Sequence, residues 1–397
     1  MNREDFPILN KEYIYFDNGA TTLKPNQVVE SITKYYTEYT SNTHRGDYDF
    51  SMKVDNIYEG TRNKIKEFIN AKSPREIIYT SGTTDSINML IEGYFKYVLK
   101  ENDEIILTFS EHASNVLPWF KLAKELNLKI VYLPLENNKV TIENLNKVIT
   151  PNTKVIALAM ITNVLGDLRP IKEISTIAHQ HNIKVVVDGA QSVPHIKVDV
   201  EDLDIDFLSF SGHKMCGPTG IGVLYGKEAL LEELKPTRLG GGMNESFDSV
   251  DEVILKELPT RLEAGTPNIA GVIGLSSAID YLTNIGLDNI HKYELELKDY
   301  CLSKLKEIPH IKVYNSNTDS GIISFNVEGI FPQDVGVYLN KYKICVRSGN
   351  HCAKLLNNVI GEKNTIRVSF YFYNTKEEID TLVNLLKDKN KIINEMI

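Results

Sequence analysis

Before about residue 270 the chain alternates apolar runs of strand length with helix-forming stretches. The runs are Arg75-Glu-Ile-Ile-Tyr-Thr80, Ile105-Ile-Leu-Thr-Phe109, Val155 to Asn163, Lys184-Val-Val-Val-Asp188, Asp206-Phe-Leu-Ser-Phe-Ser211 and Gly220-Ile-Gly-Val-Leu-Tyr225. Helices are expected over about residues 26–39, from Asp85 onward and from Arg169 to about His181. Continuously apolar strands are covered on both faces, and strands alternating with helices give a mainly parallel sheet. Ligands in such sheets collect beyond the carboxyl ends of the strands. Reactive side chains stand at those ends here, foremost Asp188, Gln191, Ser211, His213 and Lys214.

A chain of 397 residues exceeds the size at which one core keeps growing. Two domains are therefore expected: residues 16–270, and a smaller α+β domain made of residues 1–15 and 271–397. Past residue 270 the pattern changes to two long helices, Ala270 to Ile285 and about 287–307. Shorter strands such as Gly321-Ile-Ile-Ser-Phe-Asn326 follow, with a last helix from near Thr375. Hydrophobic content of 42% and charged content of 24% are those of an ordinary globular protein. A net charge of −9 with interspersed signs argues against nucleic acid or an anionic membrane as partner. No apolar run approaches the roughly 18 residues of a membrane span, and Met1-Asn-Arg-Glu-Asp-Phe6 lacks a signal pattern, so a cytoplasmic protein is expected. Four cysteines without a C-x-x-C pair point to reduced thiols. Neither G-x-G-x-x-G nor G-x-x-x-x-G-K-[S/T] occurs, which removes the main support for dinucleotide or nucleoside-triphosphate binding.

A lysine at a strand end is, taken alone, a solvated loop residue. An aspartate ending a neighbouring strand changes that reading, because a Schiff-base lysine and an acid facing a pyridine nitrogen are what pyridoxal phosphate requires of a protein. Asp188-Gly-Ala-Gln191 followed by Ser211-Gly-His-Lys214 resembles the class V aminotransferase branch of the fold-type I pyridoxal-phosphate enzymes. The resemblance runs from Asp17 to about Asn374. It implies the fold-type I transferase architecture, a large domain with a mainly parallel sheet and a smaller C-terminal α+β domain. It also implies pyridoxal 5'-phosphate bound through Lys214, with Asp188 at the ring nitrogen and Gln191 and Asn163 at the phenolic oxygen. His112, in Glu111-His-Ala-Ser-Asn-Val-Leu-Pro-Trp119, would lie over the ring and serve as acid or base. Ser81-Gly-Thr-Thr84 reads by itself as a turn and helix cap whose free amides suit an anion. The resemblance gives Thr83, Thr84, Ser211 and His213 to the cofactor phosphate. It brings Thr266, in Arg261 to Asn268, from a neighbouring subunit, and so implies a homodimer. Asp17-Asn-Gly-Ala-Thr-Thr22 would border the site, and His44, in Asn42-Thr-His-Arg-Gly46, would lie at its mouth in a supporting role.

Ile344-Cys-Val-Arg-Ser-Gly-Asn-His-Cys-Ala353 contains two unlike cysteines. Cys345 sits between apolar neighbours as a structural thiol does, whereas Cys352 follows a polar, glycine-containing loop with an imidazole next to it. Adjacent His351 and Cys352 make a poor zinc site without further ligands, and no metal is expected. The segment resembles the Arg-x-Gly-His-His-Cys-Ala loop of group II cysteine desulfurases, with Asn350 in place of the first histidine. The expected reaction is conversion of L-cysteine to L-alanine, with Cys352 as nucleophile and persulfide carrier. A sulfur-acceptor protein would take the sulfur for iron-sulfur cluster assembly or another transfer. Arg367, in Thr365-Ile-Arg-Val-Ser-Phe370, can hold a carboxylate with two parallel hydrogen bonds; Arg347 and Asn163 would assist. The alternatives are another class V enzyme, a selenocysteine or sulfinate lyase or an aminotransferase, and a non-catalytic scaffold on the same fold.

Overall fold

The computed structural model describes residues 3–44, 46–249 and 252–396, so Arg45 of the His44 loop lies outside the described residues. Seven strands form the main sheet: β1 (Ile77–Thr80), β2 (Glu104–Leu107), β3 (Lys129–Tyr132), β4 (Thr153–Ala159), β5 (Lys184–Asp188), β6 (Phe207–Ser211) and β7 (Gly222–Gly226). Their order is β1-β7-β6-β5-β4-β2-β3. β7 runs antiparallel to both neighbours, and the other pairs are parallel.

The apolar runs are continuous because each face of the sheet has its own core. Val185, Val187, Leu208 and Phe210 enter one cluster, while Val186, Phe207 and Leu224 enter the other. Successive side chains point to opposite faces, so a run buried on both sides has no polar positions to spare. Each such Val, Leu or Phe contributes about 1.5–3 kcal/mol by leaving water.

A second sheet of four antiparallel strands lies in the C-terminal part, made of β8 (Ile311–Val313), β9 (Ile322–Val327), β10 (Arg347–Gly349) and β11 (Thr365–Ser369), in the order β8-β9-β11-β10. It packs with the helices Leu287–Leu305, Pro332–Lys341 and Lys376–Leu386 around a core of its own. Ile14–Tyr15 pairs in parallel with Ile344–Cys345, and Asp17 bridges to Ser369, which carries the N-terminal segment onto this part of the chain. Among the described residues no single helix is long and apolar enough to cross a membrane.

Several elements differ from the sequence reading. The β-prone run Tyr13-Ile-Tyr-Phe-Asp17 forms a strand only over Ile14–Tyr15. The run beginning at Arg75 opens as a turn, because Ser73 and Glu76 form a reciprocal cap around Pro74, and the strand starts at Ile77. The 20-residue helix Asp49–Phe68 has no counterpart in the sequence reading. Its buried face is Val54, Tyr58, Thr61, Arg62 and Ile65, so half-polar residues blur the apolar period that would have announced it.

Candidate active site

A cavity of about 200 Å³ opens where β4, β5 and β6 end, lined by Ala159, Asp188 and Ser211 from those ends. Lys214 enters it from a single turn, Gly212–Lys214, directly after β6. Burial pushes the Lys214 amine down to about 8, against the pull of the Asp188 carboxylate, which favours the cation. Burial likewise raises the Asp188 carboxyl, with Lys214 opposing; one Asp188 oxygen accepts the Ala190 amide at 2.9 Å. The pair therefore places a reactive amine and a buried acid in one chamber.

His112 and His213 are each held down to about 4, first by burial and then by the Lys214 charge. Both rings are neutral at pH 7. His112 Nδ1 accepts the Ser114 amide at 3.1 Å, so its proton sits on Nε2. Beneath it Glu111 and Arg169, both without exposed side-chain surface, form an ion pair. Glu111 also accepts from Thr108 Oγ1 at 2.7 Å, Asn115 Nδ2 at 3.0 Å and the Ala159 amide at 2.8 Å. This saturated carboxylate fixes the residue before His112 to the end of β4.

The opposite end of the cavity is the N-terminus of the helix Thr83–Leu90. Its cap, Gly82, has φ +151, a conformation open to glycine alone. A Cβ on Gly222 of β7 would stand 2.4 Å from Gly82 Cα, so a glycine pair lets the strand approach the loop. Ser211 Oγ lies 2.8 Å from both the Thr83 amide and Thr83 Oγ1, and Thr84 Oγ1 lies 2.7 Å from Ser114 Oγ. Hydroxyls and amides thus converge at a positive helix end, as an anion site requires.

The third wall comes from the C-terminal sheet. Arg367, only 2% exposed, donates from one nitrogen to the Asn163 carbonyl at 2.8 Å and from another to Asp17 at 3.2 Å. Arg347 lies 3.8 Å from the second Asp17 oxygen. Gly19 packs on the guanidinium so closely that a Cβ would sit 3.1 Å from Arg367 Cζ. Cys352 is exposed and lines the same cavity. His351 and Cys352 are left-handed at φ +51 and +57, a conformation costing about 1–3 kcal/mol each outside glycine. Long-range and local bonds hold it: Asn163 Nδ2 donates to the His351 carbonyl at 2.7 Å, the Ala113 amide to the Cys352 carbonyl at 2.7 Å, and the Cys352 amide to Asn350 Oδ1 at 3.0 Å. Asn350, the departure from the His-His pattern, thus closes the turn that presents the thiol.

Thr83, Thr84, His112, Asn163, Asp188, Gln191, Ser211, His213, Lys214, Arg347, Cys352 and Arg367 all line this one cavity. His44 and Thr266 do not. His44 lines a second cavity with Asn42 and Arg62, half-exposed and facing Glu59 at 3.3 Å, and Asn42 reaches Thr266 Oγ1 at 3.5 Å. Asn163 differs in detail from its expected use, since Nδ2 is taken by the His351 carbonyl. Sequence reasoning gave no role to the Asp17 carboxylate or the Glu111–Arg169 pair, and it read His351 as an imidazole favouring the Cys352 thiolate. Burial, then the Arg367 charge, instead holds that ring down to about 3 and so neutral, with Nε2 at the Thr365 carbonyl and hydroxyl. An acid directly before His112 was the one visible signal among these.

Four buried atoms on the cavity's residues have no partner: Asn163 Oδ1, Gln191 Oε1, Arg367 Nε and His351 Nδ1. Buried polar atoms are rarely left so, and a cluster of them marks a place for a polar ligand. Amine, acid, anion cup and neutral ring fit pyridoxal phosphate in kind and number.

The model of the family "Aminotransferase class-V" matches residues 14–382. The chain belongs to the class-V aminotransferase family. Among curated relatives, a probable cysteine desulfurase of Halalkalibacterium halodurans is 46% identical over 96% of this chain and 95% of its own length. One from Synechocystis sp. is 42% identical over 97% and 94%. Among solved structures, the apo cysteine desulfurase of Thermococcus onnurineus NA1 superposes with a TM-score of 0.94 at 38% identity, covering 99% of this chain and 97% of that one. The cysteine desulfurase CsdA of Escherichia coli, in an S-sulfonic acid form, gives 0.93 at 37%, covering 100% and 98%.

Proposed function

We propose that this class-V chain is a pyridoxal-phosphate-dependent cysteine desulfurase that converts L-cysteine to L-alanine and keeps the sulfur as a persulfide on Cys352. The observation that carries the reading is the exposed Cys352 thiol on the cavity that also holds Lys214, Asp188 and Arg367. Near-full-length likeness to proteins named cysteine desulfurases supports it. The division into residues 16–270, and 1–15 with 271–397, remains our proposal for the domains; the separate apolar core of the C-terminal sheet supports it.

Bound pyridoxal phosphate supplies an electron-accepting ring to the substrate's α-amino carbon. Lys214 would hold the cofactor and move protons at the substrate carbons; an amine near 8 has a useful neutral fraction at pH 7 to 8. Asp188 would favour a proton on the ring nitrogen by its charge. Gln191 and Asn163, whose amide nitrogens each give one proton to the Gly19 and His351 carbonyls, would have only the second proton of each for the phenolic oxygen. Thr83, Thr84, Ser211 and His213 would hold the phosphate, and His112, a neutral imidazole, would serve as the stacking residue. Arg367, with Arg347 beside it, takes the substrate carboxylate through its unpartnered Nε and remaining protons. Cys352 Sγ bonds to the substrate sulfur as the carbon–sulfur bond breaks and the substrate's β-carbon gains a proton. Thiol plus cysteine becomes persulfide plus alanine, with no outside oxidant.

A sulfur-acceptor protein then takes the persulfide sulfur, for iron-sulfur cluster assembly or another transfer. The working unit is a homodimer in which Thr266, and His44 beside it, serve the neighbouring cavity. Their separation from the cavity of their own chain supports this, as do exposed Phe50, Met52, Tyr36 and Leu239. Four free cysteines favour the cytoplasm. The deciding experiment measures alanine and sulfide formed from L-cysteine under a reductant. Cys352→Ala should keep the yellow cofactor and lose sulfide release; undiminished release would refute the mechanism and favour a class-V lyase without a thiol nucleophile.

A further inference from the structure

The peptide carbonyl that joins His213 to Lys214 meets more donors than it has lone pairs. Its oxygen lies 2.9 Å from Lys24 Nζ, 3.0 Å from Thr21 Oγ1, 3.1 Å from the Thr22 amide nitrogen and 3.2 Å from Thr22 Oγ1. A carbonyl offers two lone pairs, so these donors share it and leave it no freedom to turn. All come from one segment, Thr21 to Lys24, about 190 residues away in sequence. The same segment grips the far side of the lysine: Thr22 Oγ1 accepts the Cys216 amide at 2.8 Å.

Lys24 is the only charged member of this set. Its ammonium reaches His213 O, Thr21 Oγ1 at 3.1 Å and its neighbour's carbonyl, Thr22 O. Among the described residues no acidic side chain pairs with it, so three neutral oxygens alone compensate a partly buried charge. Burial accordingly draws its amine down to about 8, with Cys216 opposing. A surface lysine gains nothing from such a place; a lysine that keeps it is holding something.

We infer that Lys24 is a positioning residue for Lys214, clamping the carbonyl at the head of Lys214's own peptide unit and so setting the direction from which the reactive amine enters the cavity. A four-carbon stem multiplies any tilt of that peptide at its tip, and the amine must meet a fixed aldehyde carbon. The inference rests on Lys214 carrying the cofactor, and not on which substrate the enzyme takes.

The test compares Lys24→Met and Lys24→Arg holoenzymes with wild type by visible absorbance against pH, by the rate of cofactor release, and by kcat and KM. Losing one charge-assisted hydrogen bond on this carbonyl should displace the absorbance titration in Lys24→Met. Cofactor release should rise about tenfold and kcat fall about tenfold, with KM for L-cysteine within about twofold. Lys24→Arg should restore most of each. A Lys24→Met protein with the wild-type titration and release rate would overturn the inference, as would a kcat loss that only tracks the folded fraction. If Lys24→Met does not fold, Thr21→Val, which removes one shared hydroxyl, should displace the titration in the same direction; an unmoved titration there overturns it too. Wild-type protein that is yellow but makes no alanine from L-cysteine would sink the desulfurase reading and leave this test intact.

Discussion

Lys214 carries the sharpest expectation at the level of single residues. Its amine is lowered from 10.5 to about 8 chiefly by burial, so the neutral form that attacks an aldehyde appears about 2.5 pH units early. Reconstitution of apoprotein with pyridoxal phosphate should therefore quicken with a midpoint near pH 8, followed as growth of visible absorbance; a midpoint near 10.5 would show a solvated lysine. The sign for stability follows. Between about pH 8 and 10.5 the unfolded chain binds a proton at this position that the folded apoprotein has lost, so this group adds stability to the apoprotein as pH rises through that window. Arg367 is the second case, since its planar fork is oriented by the Asn163 carbonyl and by Asp17. Arg367→Lys keeps the charge and loses the fork, and should raise KM for L-cysteine by about tenfold or more, while cofactor content stays that of wild type.

Among the elements, the loop after β10 depends on bonds from outside itself. The His351 carbonyl is held by Asn163 after β4, and the Cys352 carbonyl by Ala113, next to His112. Asn163→Ala removes one of these, worth about 0.5–1.5 kcal/mol, so amide exchange over residues 349–353 should quicken by up to about tenfold. Unchanged protection there would mean that the left-handed turn at His351 and Cys352 is stable on local bonds alone. The helix Asp49–Phe68 and the Ser73 to Glu76 turn show where sequence periodicity misleads at this scale. Arg62 faces inward because it finds Glu263 at 2.8 Å and the Ile77 carbonyl at 2.6 Å, partners far away or in another element. No local window contains the information that would make an arginine a core residue.

For the whole molecule, the buried polar network beneath the cavity joins the ends of β2 and β4 to the loop before the helix Ile171–Gln180. Arg169 and Glu111 are both fully buried, and removing one partner strands the other's charge. Arg169→Met should cost about 3–5 kcal/mol in denaturant unfolding, and Arg169→Met with Glu111→Gln should recover part of it. A loss below about 1 kcal/mol for the single change would show that water relieves Glu111. The same network holds His112, so a folded Arg169→Met protein should also show a shifted cofactor absorbance.

Chain order and residue type sufficed for the strand ends and for what stands on them. Asp188 and Ser211 end apolar runs, and Gln191, His213 and Lys214 follow within three residues; a run covered on both faces can only end where the backbone leaves the sheet. The mainly parallel sheet, the anion cup at Thr83 and the cysteine segment were legible in residue types and their order, although the turn at His351 and Cys352 is held in part by Asn163 and Ala113. Folding in three dimensions decided the rest. It put Asp17 between two arginines, wrapped Thr21 to Lys24 around the His213 carbonyl, and left Thr266 outside its own chain's cavity. Those contacts join segments far apart in the chain, and a hydrogen bond across such a distance leaves no periodic trace in either partner.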